Sequence, residues 1–414
     1  MYKRRNRVVI TGMGVLAPNG TGLDAFWQSI LTGRSGIGPI THFDASTFKS
    51  RIAGEVKNFE PLDYIEPYLK PRRMARHTQL AYAAAMMALK DAGLDLENLD
   101  SSSPMPVIIG VSTSSLDVIE RVFHEVTERD PNRVKPSDLS ASKPQAAANL
   151  IADRIGAFCN AATVSSACPS GLDAIAAAAN MIKAGEAEIA IAGGSDAPIT
   201  PLAMASFTAS GLSSTRNEAP ATASRPFDRT RDSGVISEGA GVLILEDFER
   251  AQARGARMYL EISGYGARRD VNPEQPASGL EQSMELALAN SGCSAEDIDY
   301  ISAYGPGHPF LDAAEIAIIK RVFGRRARLV PVSSIKGVTG NPLAAGGPLQ
   351  IAACALSVRD QLVAPTANHE TADPACDLDV VPNRPRKARI ERVIVNVRGL
   401  GGSASSMVLG RVPV

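Results

Sequence analysis

The stretch "VSSACPSGLDAIAAAANMIKAG" (residues 164–185) places a cysteine directly before a helix. The residues up to Val164 end a predicted strand, and Pro169 suits a first helical position, which has no N–H bond to lose. Apolar residues then recur at helical spacing as far as Gly185, a typical helix stop. The stretch therefore predicts a strand, a sharp turn and a helix that display Cys168 at the helix N-terminus. Since the helix dipole at such a position favours a thiolate, we expect a lowered pKa for Cys168. This stretch alone leaves two roles open for Cys168: a nucleophile, or a small apolar residue packed at the end of the strand.

Strands and helices alternate along the whole chain. Some strands, such as "AEIAIAGGSD" (187–196), are continuously apolar, which indicates burial on both faces. This alternation predicts an α/β protein with mostly parallel sheets. Two halves of similar order, about 1–255 and 256–414, suggest a duplication in which helix 348–360 mirrors helix 169–184.

The composition excludes several functional classes. A net charge of −1 over 414 residues provides no general attraction for nucleic acid or acidic lipid. No stretch of 18 uncharged apolar residues occurs, so we expect no membrane span. Five scattered cysteines without a CxxC pair predict a reduced, cytoplasmic protein without disulfides or zinc. The histidines show no metal-binding spacing, and two of them, His77 and His124, are expected at the surface of charged helices.

One glycine pattern resembles that of a dinucleotide-binding site. "GMGVLA" (12–17) follows a strand and matches G-x-G-x-x-A. However, Pro18 follows at once, so no helix N-terminus opens on a phosphate, and no acidic residue closes a second strand at the expected distance. A close approach between this strand and a loop, which requires glycine, explains the pattern better than an oxidoreductase.

Three further glycine-rich turns stand at strand ends, where α/β proteins place their sites. They are "YGPGHPFLDAAE" (304–315), "SSIKGVTGNPLAAGG" (333–347) and "NVRGLGGSASS" (396–406). Together with the turn at Cys168, they favour a single pocket.

Four blocks resemble the signature blocks of β-ketoacyl-acyl-carrier-protein synthases, the elongating condensing enzymes of fatty-acid and type II polyketide systems. These blocks are "SSACPSGLDA" (165–174), "RPFDRTRDSGVISEGAGVLILE" (225–246), "SSIKGVTGN" (333–341) and "NVRGLGGSAS" (396–405). The resemblance covers essentially the whole chain. It implies a thiolase-like fold, which is a duplicated five-layer α-β-α-β-α sandwich, and an obligate dimer.

The resemblance also implies a chemistry from which this chain departs. In the family, a cysteine at the position of Cys168 takes the acyl chain as a thioester. Two histidines, in "AHGT" and "TGH" motifs, hold a malonyl thioester while it loses carbon dioxide. Here Tyr304 and Asn341 stand at those positions, while Lys336 is retained. Both replacements can donate hydrogen bonds, but a phenol is a poor proton shuttle near neutral pH. The implied catalytic group is thus Cys168, Tyr304, Asn341 and Lys336.

Other positions follow from the same resemblance. Pro306 and His308 replace hydroxyl residues that would hold the phosphopantetheine arm, and Leu400 replaces a phenylalanine gate. The expected substrate contacts are His308, Arg398, Leu400 and Gly401, and the expected structural residues near the site are Asp312, Glu315 and Glu238.

Two functions remain open. The first is a chain-length-factor-like subunit that has lost condensation and pairs with an active ketosynthase. The second is an atypical Cys168-dependent acyltransferase or condensing enzyme of the 3-oxoacyl-[acyl-carrier-protein] synthase type. Either would take acyl groups from the phosphopantetheine of an acyl carrier protein, without a bound cofactor or metal, as a homodimer or a heterodimer. A purely structural scaffold is the remaining alternative.

Overall fold

The computed structural model describes residues 6–96, 103–156, 160–271 and 277–413. In chain order the strands are β1 (Val8–Ala17), β2 (Gly20–Thr21), β3 (Ile37–Pro39), β4 (Ile52–Gly54), β5 (Val107–Gly110), β6 (Ala161–Val164), β7 (Ile189–Asp196), β8 (Gly239–Asp247), β9 (Leu260–Arg269), β10 (Tyr300–Ser302), β11 (Val332–Ser333), β12 (Leu362–Val363), β13 (Arg386–Lys387), β14 (Arg392–Arg398) and β15 (Ser403–Gly410). The helices are α1 (Leu23–Leu31), α2 (Arg76–Asp91), α3 (Leu116–His124), α4 (Pro136–Ala141), α5 (Ala146–Ile155), α6 (Ser170–Ala184), α7 (Pro201–Ala209), α8 (Pro220–Ala223), α9 (Phe248–Ala253), α10 (Ser278–Ser291), α11 (Pro309–Phe323), α12 (Lys336–Thr339) and α13 (Gly346–Asp360).

The main sheet has the order β11-β10-β14-β15-β9-β1-β8-β7-β5-β6, and β2 pairs with β1. Its flanks are parallel, with β5 between β6 and β7 and β10 between β11 and β14. The centre is antiparallel, so the prediction of mostly parallel sheets is wrong there. One reason is the short turn 399–402 between β14 and β15, because so short a connection allows only antiparallel neighbours.

Helices pack on the outer faces of the two parts of this sheet and between them. On one side α2 and α5 pack against β1, β8, β5 and β6, while α10 packs against β9 and β15 on the other side. Between them, α6 and α13 contact each other and strands of both parts of the sheet. The result is the five-layer α/β sandwich of the thiolase-like fold.

The central helix α13 is enclosed by the layers on both sides. Each residue from Gly346 to Val358 is buried, as expected for a helix enclosed by protein on all sides. The strand residues of β1 and β7 are buried throughout, in agreement with their continuous apolar sequences.

The glycines of "GMGVLA" permit a close approach as expected, but the neighbour is the helix α2 and not a loop. A Cβ atom at Gly14 would lie 1.8 Å from the carbonyl oxygen of Ala84 on α2, and one at Gly12 would lie 2.3 Å from that of Ala88. Only glycine lets β1 approach α2 so closely.

Two predicted helices are confirmed and one histidine prediction is wrong. The helices predicted over 169–184 and 348–360 correspond to α6 and α13, and Gly185 ends α6 with a φ of 75°. His77, expected at the surface, is 0% exposed, because the start of α3 covers it and brings Ser115 Oγ to 3.0 Å from its Nε2. Burial lowers the pKa of His77 to about 4.

Candidate active site

The turn between β6 and α6 presents Cys168. Ala167, just before it, has a φ of +65°, in the left-handed region that costs a non-glycine residue about 1–2 kcal/mol. Ser170 Oγ stabilises this turn, because it accepts the N–H of Ser166 (2.8 Å) and donates to the carbonyl of Ala167 (2.5 Å). The first turn of the helix therefore holds the cysteine in a strained but hydrogen-bonded loop.

Cys168 is 6% exposed and lies in the wall of a cavity of about 180 Å³. The other lining residues are Phe207, Leu212, Ser233, Gly234, Ile236, Tyr304, Pro306, His308, Leu311, Asn341, Leu343, Arg398 and Gly399–Gly402. The three glycine-rich turns and the cysteine turn thus meet at one cavity, built from both the 1–255 and the 256–414 parts of the chain.

Tyr304 and Asn341 stand next to the thiol. The Tyr304 hydroxyl donates to Cys168 Sγ at 3.7 Å, and Asn341 Nδ2 donates to that hydroxyl at 3.4 Å. The other amide atom, Asn341 Oδ1, is buried without a hydrogen-bond partner among the described residues. The three side chains form a chain of donors and acceptors that ends at sulfur.

The pKa of Cys168 departs from the expectation. Burial raises the pKa of the thiol, the hydrogen bond from Tyr304 lowers it, and the negative charge of Asp196 raises it again. The predicted lowering by the helix N-terminus is therefore wrong in direction, since desolvation outweighs it. Burial also raises the pKa of Tyr304 well above its ordinary value.

Lys336 lies behind the tyrosine. Its Nζ atom is 4.6 Å from the centroid of the Tyr304 ring and 3.3 Å from Gln350 Oε1. Burial lowers the pKa of this amine to about 8, although Glu315 opposes the shift. Gln350 Nε2 donates a hydrogen bond to the carbonyl of Ala303 (3.0 Å), which fixes the side chain that accepts the Lys336 amine.

Two buried carboxyl groups support the loop that carries Tyr304. Glu315 accepts the N–H groups of Tyr304 (2.9 Å) and Gly305 (2.8 Å). Asp312 accepts the N–H groups of Phe227 (2.8 Å) and Gly307 (3.1 Å). Burial raises the pKa of both, that of Asp312 to about 7. These contacts agree with a structural role near the site.

The expected substrate-contacting residues border the cavity. His308 caps α11, since its Nδ1 accepts the N–H groups of Phe310 (3.2 Å) and Leu311 (3.4 Å), and burial lowers its pKa. Arg398 forms an ion pair with Asp270 at 2.7 Å.

The exposed apolar side chain at the cavity is Leu400, which is 65% exposed, and Gly401 beside it has a φ of 80°. Both belong to the turn between β14 and β15.

Glu238 holds the segment around Val56 and does not line the cavity. Its carboxylate accepts the N–H of Val56 (2.8 Å) and pairs with Arg76 (2.9 Å), and it is not among the cavity residues. The N–H of Ser237, next to Glu238 in the chain, donates to the carbonyl of Asn341 at 3.1 Å, and a structural role of Glu238 near the site stays a prediction.

The sequence patterns did not predict two hydrogen-bonded carboxylates near Cys168, those of Asp173 and Asp196. Asp173 accepts the hydroxyl of Ser166, and its position in the first turn of the helix in "SSACPSGLDA" was the available signal. Asp196 accepts the N–H groups of Thr113 (2.8 Å) and Ala344 (2.9 Å), and burial raises its pKa to about 6. No local pattern marks Asp196, because its partners are distant in sequence.

Within the described ranges, no three His, Cys, Asp or Glu side chains are arranged to hold a metal ion. In the same ranges no helix has both the length and the apolar character needed to cross a membrane. The cysteines described there, Cys168, Cys293, Cys354 and Cys376, have free thiols. Cys159 lies outside the described residues.

Family models match both parts of the chain. "Beta-ketoacyl synthase, N-terminal domain" matches residues 5–251, and "Beta-ketoacyl synthase, C-terminal domain" matches residues 259–370. The chain therefore belongs to the β-ketoacyl synthase family, as the four sequence blocks indicated.

The chain is also similar to individual enzymes of fatty-acid and polyketide systems. The chain is 37% identical over 417 residues to 3-oxoacyl-[acyl-carrier-protein] synthase 2 of Vibrio harveyi, covering 99% of each chain. It is 39% identical over 415 residues to the granaticin polyketide putative beta-ketoacyl synthase 1 of Streptomyces violaceoruber, covering 98% of each.

Solved structures of ketosynthases are similar to this chain along nearly its whole length. The ishigamide ketosynthase/chain length factor matches with a TM-score of 0.92 and 34% identity, over 99% of this chain and 100% of that one. A type II PKS acyl-carrier protein in complex with its ketosynthase matches with a TM-score of 0.90 and 33% identity, over 99% and 100%. The chain is thus similar to ketosynthases and chain length factors of type II polyketide and fatty-acid synthesis.

Proposed function

We propose that this chain is a non-condensing, ketosynthase-like subunit of a type II polyketide or fatty-acid system, and that it pairs with an active ketosynthase as a chain length factor does. The observation that carries the proposal is the Tyr304–Asn341 pair at Cys168, with distances of 3.7 Å from Tyr304 to sulfur and 3.4 Å from Asn341 to Tyr304. The proposal is supported by the resemblance, which implies that these two positions correspond to the condensing histidines of the family.

The chemistry of the pair opposes condensation. Decarboxylation of a malonyl thioester develops negative charge on the thioester oxygen, which preformed donors must meet, and it needs proton carriers tuned near neutral pH. The Tyr304 hydroxyl already donates to Cys168 and accepts from Asn341. Burial raises the pKa of Tyr304, so the phenol keeps its proton, and a carboxamide does not titrate.

A sheet edge and a group of exposed apolar side chains support the proposal of a partner subunit. Strand β6 ends the sheet, and a strand edge of this kind is a template for association. Apolar side chains between 47% and 68% exposed lie on neighbouring helices: Ile119, Phe123, Leu139 and Leu202. These helices are joined by the Arg121–Asp138 ion pair (2.8 Å) and by the N–H of Leu202 on Glu120 (3.2 Å). A partner that covered them would also border the cavity, since α7 contributes Phe207 to it.

Two further assignments belong to this proposal. An acyl carrier protein is the second partner and delivers the acyl chain on its phosphopantetheine arm, so the subunit itself needs no bound cofactor. The cytoplasm is the proposed location, because the thiol must stay reduced.

Carbon dioxide release from malonyl-acyl-carrier protein tests the loss of condensation. The purified chain should release none above background. The double variant Tyr304→His/Asn341→His should gain release, leaving acetyl-carrier protein, whereas the matched Tyr304→Phe variant should gain nothing. Wild-type production of a β-ketoacyl product would overturn this part of the proposal.

Native mass spectrometry tests the pairing. Co-expressed with a condensing ketosynthase of the same host, the chain should form a 1:1 heterodimer. A chain found only as a homodimer under these conditions would contradict the chain-length-factor role.

A second candidate function is acyl transfer through Cys168, which the placement of its sulfur at the cavity favours. The sulfur would attack the carbonyl carbon of an acyl-carrier thioester. A new carbon–sulfur bond would form, the bond to the carrier sulfur would break, and the proton of the Cys168 thiol would pass to the released carrier thiolate, which leaves as a thiol. The donors beside Cys168 would then serve the thioester oxygen.

Intact mass measurement after incubation with an acyl-carrier protein tests this candidate. Acyl transfer predicts one adduct on the wild-type chain and none on Cys168→Ala. Equal adduct levels, or no adduct on either protein, would exclude it.

A further inference from the structure

A carboxylate outside the cavity holds the turn that carries Cys168. Asp173 Oδ2 accepts the hydroxyl of Ser166. Its other oxygen accepts the hydroxyls of Tyr265 (2.8 Å) and Ser405 (2.5 Å). Because Tyr265 belongs to β9 and Ser405 to β15, this carboxylate connects the cysteine turn to strands that are far away in sequence.

The segment it holds is the strained one. Ala167, with a φ of +65°, lies between Ser166 and Cys168. The carbonyl of Ser166 is also fixed, because Ser403 Oγ donates to it at 2.9 Å. An alanine leaves the left-handed region when its neighbours are free to relax, so these contacts keep the backbone in place.

We propose that Asp173 is a positioning residue for Cys168. By fixing Ser166 it keeps Ala167 left-handed and so directs the sulfur towards the Tyr304 hydroxyl. Asp173 itself does not line the cavity and acts through the turn. This role goes beyond the proposed function, since it is the same whether the thiol accepts an acyl group or not.

A double-mutant cycle between Asp173 and Tyr304, which are not hydrogen-bonded to each other, tests this role. The measured quantity is the rate at which iodoacetamide alkylates Cys168 at pH 8. Fragment ions must locate the label, because the tryptic peptide 155–183 also contains Cys159. With Asp173 present, Tyr304→Phe should slow alkylation about tenfold, since a hydrogen bond to the thiolate is lost. In an Asp173→Asn background the same change should slow it by less than about threefold.

Rescue and control variants separate positioning from general damage. Adding Ala167→Gly to Asp173→Asn should restore the Tyr304→Phe effect, because glycine adopts the left-handed region without strain. Ser166→Ala should act like Asp173→Asn, and it preserves the test if Asp173→Asn fails to fold.

The matched control is Asp91→Asn, which removes a carboxylate that accepts Met13 N–H (2.9 Å) and the Tyr259 hydroxyl (3.0 Å), and it should leave the tenfold effect intact. An equal Tyr304→Phe effect with and without Asp173, or no effect in the wild-type background, would overturn the proposal.

Discussion

Glu315 holds Tyr304 by its backbone: one carboxyl oxygen accepts the N–H of Tyr304 at 2.9 Å and the other accepts that of Gly305 at 2.8 Å. Glu315→Gln turns one acceptor into a donor that faces an N–H group. We expect the free energy of unfolding in urea to fall by about 1–3 kcal/mol, the cost of an unsatisfied buried group. Glu281→Gln, which breaks a surface pair with Arg321, should cost less than about 1 kcal/mol. Equal losses for the two variants would contradict the role of Glu315.

Asp228 should make stability depend on pH in the acid range. Burial opposes its charge, but N–H groups of Thr371 (2.6 Å) and Glu370 (2.7 Å) and the hydroxyl of Thr230 lower its pKa to about 2. Since this pKa lies below the unfolded value of about 4, the ionised group stabilises the fold above pH 4 and that stabilisation is lost as the pH falls towards 2. Asp228→Asn should therefore cost about 2–3 kcal/mol at pH 7. Denaturation curves of the two proteins should converge on acidification, and a gap that stays constant with pH would argue against this.

Gly171 marks a close contact between α6 and the segment before α13. A Cβ atom there would lie 2.2 Å from the carbonyl oxygen of Ala344. Gly171→Ala should lower the unfolding free energy by about 1–3 kcal/mol or prevent folding, because the Ala344 backbone that the new atom would meet is itself buried and has no room to move away. In Gly346→Ala the new atom meets nothing within 4 Å, so stability should stay equal or rise slightly. Thermal unfolding of the two variants provides the comparison, and similar melting temperatures would refute it.

Cys168 should behave as a thiol and not as a thiolate at neutral pH. Burial raises its pKa, so alkylation by iodoacetamide should be slower than that of free cysteine at pH 7.5 and should keep increasing beyond pH 9. Cys293, which is half-buried in the same chain, is the internal comparison. A rate at Cys168 that levels off below pH 8 would show that the helix N-terminus dominates after all.

Local patterns predicted the parts of this fold that depend on nearby residues. The apolar spacing after Cys168 predicted α6 to within one residue at each end, because one face of that helix packs on the sheet. The glycine-rich turns predicted where the cavity lies, since strand ends in α/β proteins converge.

Features set by distant residues could not be predicted in this way. The shifted pKa of Cys168 comes from burial under segments more than 100 residues away, such as Tyr304, which is 136 residues from it. Asp173 and Ser405 are 232 residues apart, so no local pattern reveals that they are bonded. The antiparallel centre of the sheet likewise depends on which strands meet, and alternation alone does not determine that.

The cavity and the turn that carries Cys168 are built from segments far apart in the sequence, which has a consequence for folding during synthesis on the ribosome. Cys168 emerges long before β15 (Ser403–Gly410), which supplies Ser403 and Ser405 to its turn. Until that strand docks, the turn lacks the hydrogen bonds from Ser403 to Ser166 and from Ser405 to Asp173. Chains usually fold from the N-terminus as they are made, but the turn that carries Cys168 can complete its hydrogen bonds only after β15 has been synthesised.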